Sequence, residues 1–119
     1  MPIQEWSAEI IGAVPTDEAV VSSDLAELIT RLKAGIVAHV VVDCASIAYL
    51  NSSHLTQLVA LHRLLKRNGR RLVLCAVSAN VHNVLQVSGF GSTFHFAPDV
   101  ACALDSLKEN PPGRKPHPA

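Results

Sequence analysis

The 119-residue chain has no net charge to speak of: ten Lys and Arg balance ten Asp and Glu. A nucleic-acid or anionic-membrane partner needs a basic excess, so composition offers neither. Long apolar runs are missing as well. None reaches the roughly 18 residues that a membrane-spanning helix requires. The first residues, MPIQEWSAEI, lack the basic-then-apolar layout of a secretory signal, and a cytoplasmic protein is predicted. Cysteine is scarce: Cys44, Cys75 and Cys102 are odd in number, far apart and without a C-x-x-C pair. They read as reduced, small core residues. His62 follows His54 by eight residues with no carboxylate or cysteine close by, and His39, His82, His95 and His117 fall on separate segments. That is a poor metal signature, so no metal and no cofactor are predicted, and His62 reads as an edge-of-core residue. No internal repeat is visible. A G-x-S-x-G elbow is also absent, and Ser52 and His54, two residues apart in one helical turn, point to different sides. A serine nucleophile needs a base within hydrogen-bond reach, so the chain is not read as an enzyme.

What is present is enough apolar material, 49% of residues, for one compact domain. Residues 1–110 are assigned to it. The tail 111–119, PPGRKPHPA, has four prolines in nine residues and no apolar period, and is expected to be a flexible extension. Along the chain, Trp6 to Gly12 predicts one strand. Ser22, Ser23 and Asp24 are N-cap residues, with Asp24-x-x-Glu27 shaped like a capping box. Leu25, Leu28, Ile29 and Leu32 then share a helical face that stops at Gly35. Val37 to Val42 is a short apolar run, interrupted only by His39, that fits a strand covered on both faces. A polar knot, Asn51-Ser52-Ser53-His54, opens the next helix, whose apolar stripe is Leu55, Leu58, Val59, Leu61 and Leu65. That helix ends on Lys66-Arg67-Asn68-Gly69, with cations at the negative end of the dipole. Arg71 to Val77 repeats the buried-strand signal. A short helix spans Asn80 to Val87, a strand Thr93 to Phe96, and Pro98 at the first helical position opens a last helix with Val100, Ala103, Leu104 and Leu107 inward. Strand and helix alternate, which argues an α/β fold with a mainly parallel sheet.

The ensemble of these residues resembles the STAS domain, and more narrowly the bacterial anti-sigma-factor antagonists. An apolar strand ends in Asp43, an apolar connector follows, and a Ser pair opens a Leu-rich helix that ends in Gly69 before another buried strand. Downstream, Leu72 to Val77, Val81, Leu85, Ser88-Gly89-Phe90, Phe94 to Phe96 and the Ala101–Leu107 helix follow the same plan. The resemblance covers about residues 5 to 108 and implies a mixed, mostly parallel sheet of four to five strands with about four helices. The first strand of the family hairpin reads as shortened or missing, because little precedes Trp6. It also implies that Ser52 is the residue phosphorylated by a partner anti-sigma factor that is itself a serine kinase. The unphosphorylated form binds that partner, and the phosphorylated form lets go. Docking is expected through the Asn51–Gln57 helix start: Leu50 and Leu55 as anchors, with Asn51, Ser52, Ser53, His54 and Gln57 around them.

Physical chemistry gives the position its own logic. A helix N-terminus presents unpaired N–H groups and the positive dipole end, so a phosphate there is tolerated by the domain and acts on the partner instead. The competing reading is that Asn51, Ser52 and Ser53 form an ordinary N-cap. The family knot usually reads Asp-Ser-Ser-Gly or Asp-Ser-Thr-Gly. Asn51 keeps the carboxylate's shape without its charge. His54 replaces a Gly and reads as a solvated residue on the open helix face, as a steric obstacle to a partner, or as a cation for a phosphate. Two alternatives stand beside the switch. One is a non-switching STAS scaffold or accessory subunit of a sensory or transport complex. The other is direct binding of a small anion or nucleotide at the helix N-terminus.

Overall fold

A computed structural model describes residues 3–7, 9–17 and 20–109 of the chain. The expected Pro-rich tail, 111–119, lies outside the described residues. The elements are β1 (Ile3–Ser7), β2 (Ile10–Ala13), α1 (Val21–Lys33), β3 (His39–Asp43), α2 (Ser52–Arg67), β4 (Leu72–Cys75), α3 (Ala79–Val87), β5 (His95–Ala97) and α4 (Val100–Glu109). They form one sheet in the order β1-β2-β3-β4-β5. β1 runs antiparallel to β2, and the β2–β3, β3–β4 and β4–β5 pairs are parallel.

The two sheet faces carry separate cores. Val40, Val42, Leu72 and Leu74 point to the side holding Leu25, Leu28 and Leu32 of α1, Leu58, Leu61 and Leu65 of α2, and Val81 and Leu85 of α3. Val41, Val73 and Cys75 point to the other, where Ala103 and Leu107 of α4 cover them. This is why β3 and β4 read as continuous apolar runs: every second residue faces a different helical layer. At Gly12 the ring of Trp6 lies over the strand, and a β-carbon there would collide with that ring and stand 2.5 Å from the Val41 carbonyl oxygen.

Several expectations are corrected. The single strand from Trp6 to Gly12 is two strands, β1 and β2, in an antiparallel hairpin, so the hairpin's first strand is present. α1 begins at Val21 with Val20 as its N-cap and no side-chain cap bond; Asp24 is buried within its first turn and caps nothing. β3 starts at His39, leaving Ile36 and Val37 exposed. α4 starts at Val100, and the backbone N–H of Cys102 bonds the Asp99 carboxylate at 2.8 Å, so Asp99 rather than Pro98 opens it. Cys44 and Cys75 are buried as expected, but Cys102 is exposed.

Candidate functional site

The polar knot owes its position to the connector before it. At the end of β3 the Asp43 carboxylate accepts the Ala45 N–H at 2.9 Å, and the Ile47 N–H bonds the Cys44 carbonyl at 3.0 Å. Cys44 and Ile47 are buried, at 3% and 2% exposure, and pin the connector to the sheet. Tyr49, by contrast, is exposed. Leu50 packs against the helical-layer core, so its side chain points inward.

α2 begins on a capping box. Asn51, in an extended conformation, accepts the His54 N–H on its side-chain oxygen at 2.8 Å, and the Asn51 N–H bonds Nδ1 of His54 at 3.4 Å. His54 thus occupies the third helical position, where the reciprocal partner of such a box normally sits. The ring is buried, at 5% exposure. This overturns the expectation of a solvated His54 on the open face. A signal for this was available: residues 54, 58, 61 and 65 are spaced by four, three and four, which places His54 on the same stripe as Leu58, Leu61 and Leu65.

Because Asn51 and His54 make the cap, Ser52 and Ser53 are not its side-chain donors or acceptors. Both are exposed. Their N–H groups precede the first intrahelical bond, Leu55 N–H to Asn51 carbonyl at 3.1 Å, and so have no partner within the helix. No carboxylate stands in the first turn of α2. On one side of Ser52 an open groove of about 390 Å³ runs along α2 past Leu55, Thr56, Val59 and Arg63 to Phe90. On the other, a shallow polar depression is lined by Ser22, Ser53, Thr56 and Gln57. Gln57 is half-buried there: its amide donates to the Ser22 carbonyl at 3.0 Å and accepts from the Ser22 hydroxyl at 3.2 Å, tying α1 to α2. Residues 51, 52, 53, 55 and 57 therefore meet at one surface, while Leu50 and His54 support it from beneath. The groove residues Val59, Ala60, Arg63 and Phe90 lie outside the Asn51–Gln57 stretch that the sequence singles out.

Residues 9–103 match the family model of the STAS domain. The chain belongs to the STAS domain family. The sheet order and the helical layers place it beside solved STAS structures. The anti-sigma factor antagonist SpoIIAA in its unphosphorylated form superposes with a TM-score of 0.74 at 21% identity, over 89% of this chain and 94% of that one. SpoIIAA of Bacillus in its phosphorylated form gives 0.69 at 20%, over 88% and 96%. An anti-sigma-factor antagonist (STAS) domain protein from Planctomyces limnophilus gives 0.75 at 19%, over 89% and 97%. At these identities the likeness is one of fold. In this STAS domain no helix of the described residues is long and apolar enough to cross a membrane. Nor does any group of three or more His, Cys, Asp and Glu among them stand ready to hold a metal. His62 is half-buried, its ring edge-on to Phe94 at 5.7 Å between centroids, as an edge-of-core residue.

Proposed function

We propose that this STAS domain is an anti-sigma-factor antagonist-like binding protein that docks on an anti-sigma factor with serine kinase activity and is switched by phosphorylation of Ser52. The observation that carries this reading is the division of labour at the start of α2. Asn51 and His54 complete the cap, and the Ser52 hydroxyl stands exposed at the first helical position with no role in holding the fold. Around it lie the neutral side chains of Ser22, Ser53, Thr56 and Gln57, with no first-turn carboxylate to repel an incoming phosphate. A phosphoserine of about −1.5 to −2 charges there gains from the helix dipole and leaves the core untouched. The modification therefore acts on the partner, by placing charge and bulk at the mouth of the groove that begins at Leu55. That SpoIIAA has been solved in both unphosphorylated and phosphorylated forms supports the same reading.

The test is incubation with the cognate kinase and ATP. A mass gain of one phosphate is expected, lost in Ser52→Ala and retained in Ser53→Ala. Binding of the kinase should weaken after modification. One observation favours a non-switching scaffold: Asn51 stands where the family usually has a carboxylate. A stable complex with the same partner, indifferent to ATP, would select that reading.

A further inference from the structure

Toward the far end of α2, where Lys66 lies about 21 Å from Ser52 along the helix axis, the chain has a second pocket of a different character. It is open, about 440 Å³ in volume, and three permanent cations line it: Lys66 of α2, and Arg70 and Arg71 in the segment leading into β4. His62 and His95 add imidazoles, and Ser92 and Thr93 add hydroxyls beside the start of β5. Among the described residues no carboxylate lines it. Among the described residues the single ion pair is Arg31 with Glu27 on α1, so none of the three cations has a carboxylate within salt-bridge distance.

Cations often gather at a helix C-terminus to satisfy its last carbonyls. Here other groups already do so for three of the last four, the carbonyls of Leu64, Leu65 and Lys66. The Leu65 carbonyl accepts the N–H groups of Asn68 at 3.0 Å and Arg70 at 2.8 Å. The Lys66 carbonyl accepts the Gly69 N–H at 3.2 Å, and the Leu64 carbonyl accepts the Asn68 side-chain amide at 3.2 Å. The cations are left without that duty. Like charges held together without a counter-charge repel one another, a cost that a bound anion relieves.

We propose that this pocket binds a phosphate-class oxyanion carrying more than one phosphoryl group, with Lys66, Arg70 and Arg71 supplying the charge and Ser92 and Thr93 the hydroxyl donors. Several cations lying along one wall suit a ligand with charge on several oxygens better than a single carboxylate. The two imidazoles make the site pH-sensitive. Burial and the neighbouring Lys66 and Arg63 lower the His62 pKa, and burial, Arg71 and His62 lower that of His95. An anion among these cations opposes that lowering, so the two imidazoles take up protons on binding. The site is independent of the Ser52 switch.

The experiment is calorimetric titration of the chain with inorganic pyrophosphate at low ionic strength against matched chloride, with orthophosphate in parallel. Saturable binding, tighter for pyrophosphate than for orthophosphate, is expected. Lys66→Gln with Arg71→Gln should weaken it about tenfold. Arg31→Gln with Lys33→Gln, which removes equal charge outside the pocket, should leave it unchanged, as should Ser52→Ala. In the unaltered chain, pyrophosphate should shift the imidazole resonances of His62 and His95 and leave those of His82 in place. Absence of saturation, equal weakening by the two double variants, or shifts spread over all histidines would overturn the proposal.

Discussion

Replacing Asn51 and Ser52 one at a time separates a structural helix start from a signalling one. Asn51→Ala deletes the 2.8 Å acceptor for the His54 N–H. The reciprocal bond from the Asn51 N–H to the His54 ring is long, at 3.4 Å, and belongs to the backbone, so it can survive the change. The loss is therefore that of one good cap, about 1 kcal/mol. For a domain of this size that lowers Tm by about 4 °C. Asn51→Asp keeps the acceptor and adds a negative charge to the positive end of α2, for a gain of about 0.3–1 kcal/mol. Ser52→Ala removes an exposed hydroxyl that the cap does not use, and its effect should stay within about 0.5 kcal/mol. Urea unfolding followed by circular dichroism, read at constant m-value, measures all three. If Ser52→Ala costs as much as Asn51→Ala, the Ser52 hydroxyl is part of the cap. The claim that it is free to accept a phosphate without disturbing the domain then fails.

Other expectations follow from the interior. Gly12→Ala drives a methyl into the Trp6 ring and the Val41 carbonyl; it should cost about 1–3 kcal/mol and change tryptophan fluorescence as β1 shifts. Asp24 is 5% exposed with a carboxylate oxygen lacking a partner, and burial followed by the nearby Asp17 raises its pKa. Asp24→Asn should therefore raise stability at pH 7. The gain should shrink as pH falls into the acid range, where the folded protein itself takes up that proton. His39 is 3% exposed, accepts the Arg71 N–H on Nδ1 at 3.0 Å and has a buried, unpaired Nε2. Burial, then Arg70 and Arg71, lower its pKa below 6.5. The unfolded chain consequently binds that proton first, and stability should drop as pH falls through 6.5 toward the lowered value. His39→Gln, which can keep an acceptor for Arg71, should flatten this stretch of the pH–stability curve measured by urea unfolding.

The sequence was most legible where one residue type repeats at a fixed period. Leu58, Leu61 and Leu65 announced α2, and the Val40–Val42 and Leu72–Leu74 runs announced strands covered on both faces. The β1–β2 hairpin stayed hidden because no Gly, Pro, Asn or Asp separates Trp6 from Ile10, so two strands look like one. The start of α1 was misplaced because tertiary packing outranked capping chemistry: Val21 is buried at 1% exposure, and the helix begins with it rather than after Asp24. His54 was misread because polarity was weighed above periodicity. The cap-forming role of Asn51, by contrast, was visible in its shape alone. The groove beside Ser52 and the cationic pocket draw on segments far apart in the chain, and single-segment patterns do not reveal such convergence.

The uneven fate of the three cysteines has a practical consequence. Burial pushes the thiols of Cys44 and Cys75 up to about 12, so neither forms thiolate at neutral pH. Cys102 alone is exposed, and it rides on α4, the helix across the sheet from α2. The native chain thus offers one attachment point for a fluorophore, on the side turned away from Ser52, from which an association can be watched without obstructing it.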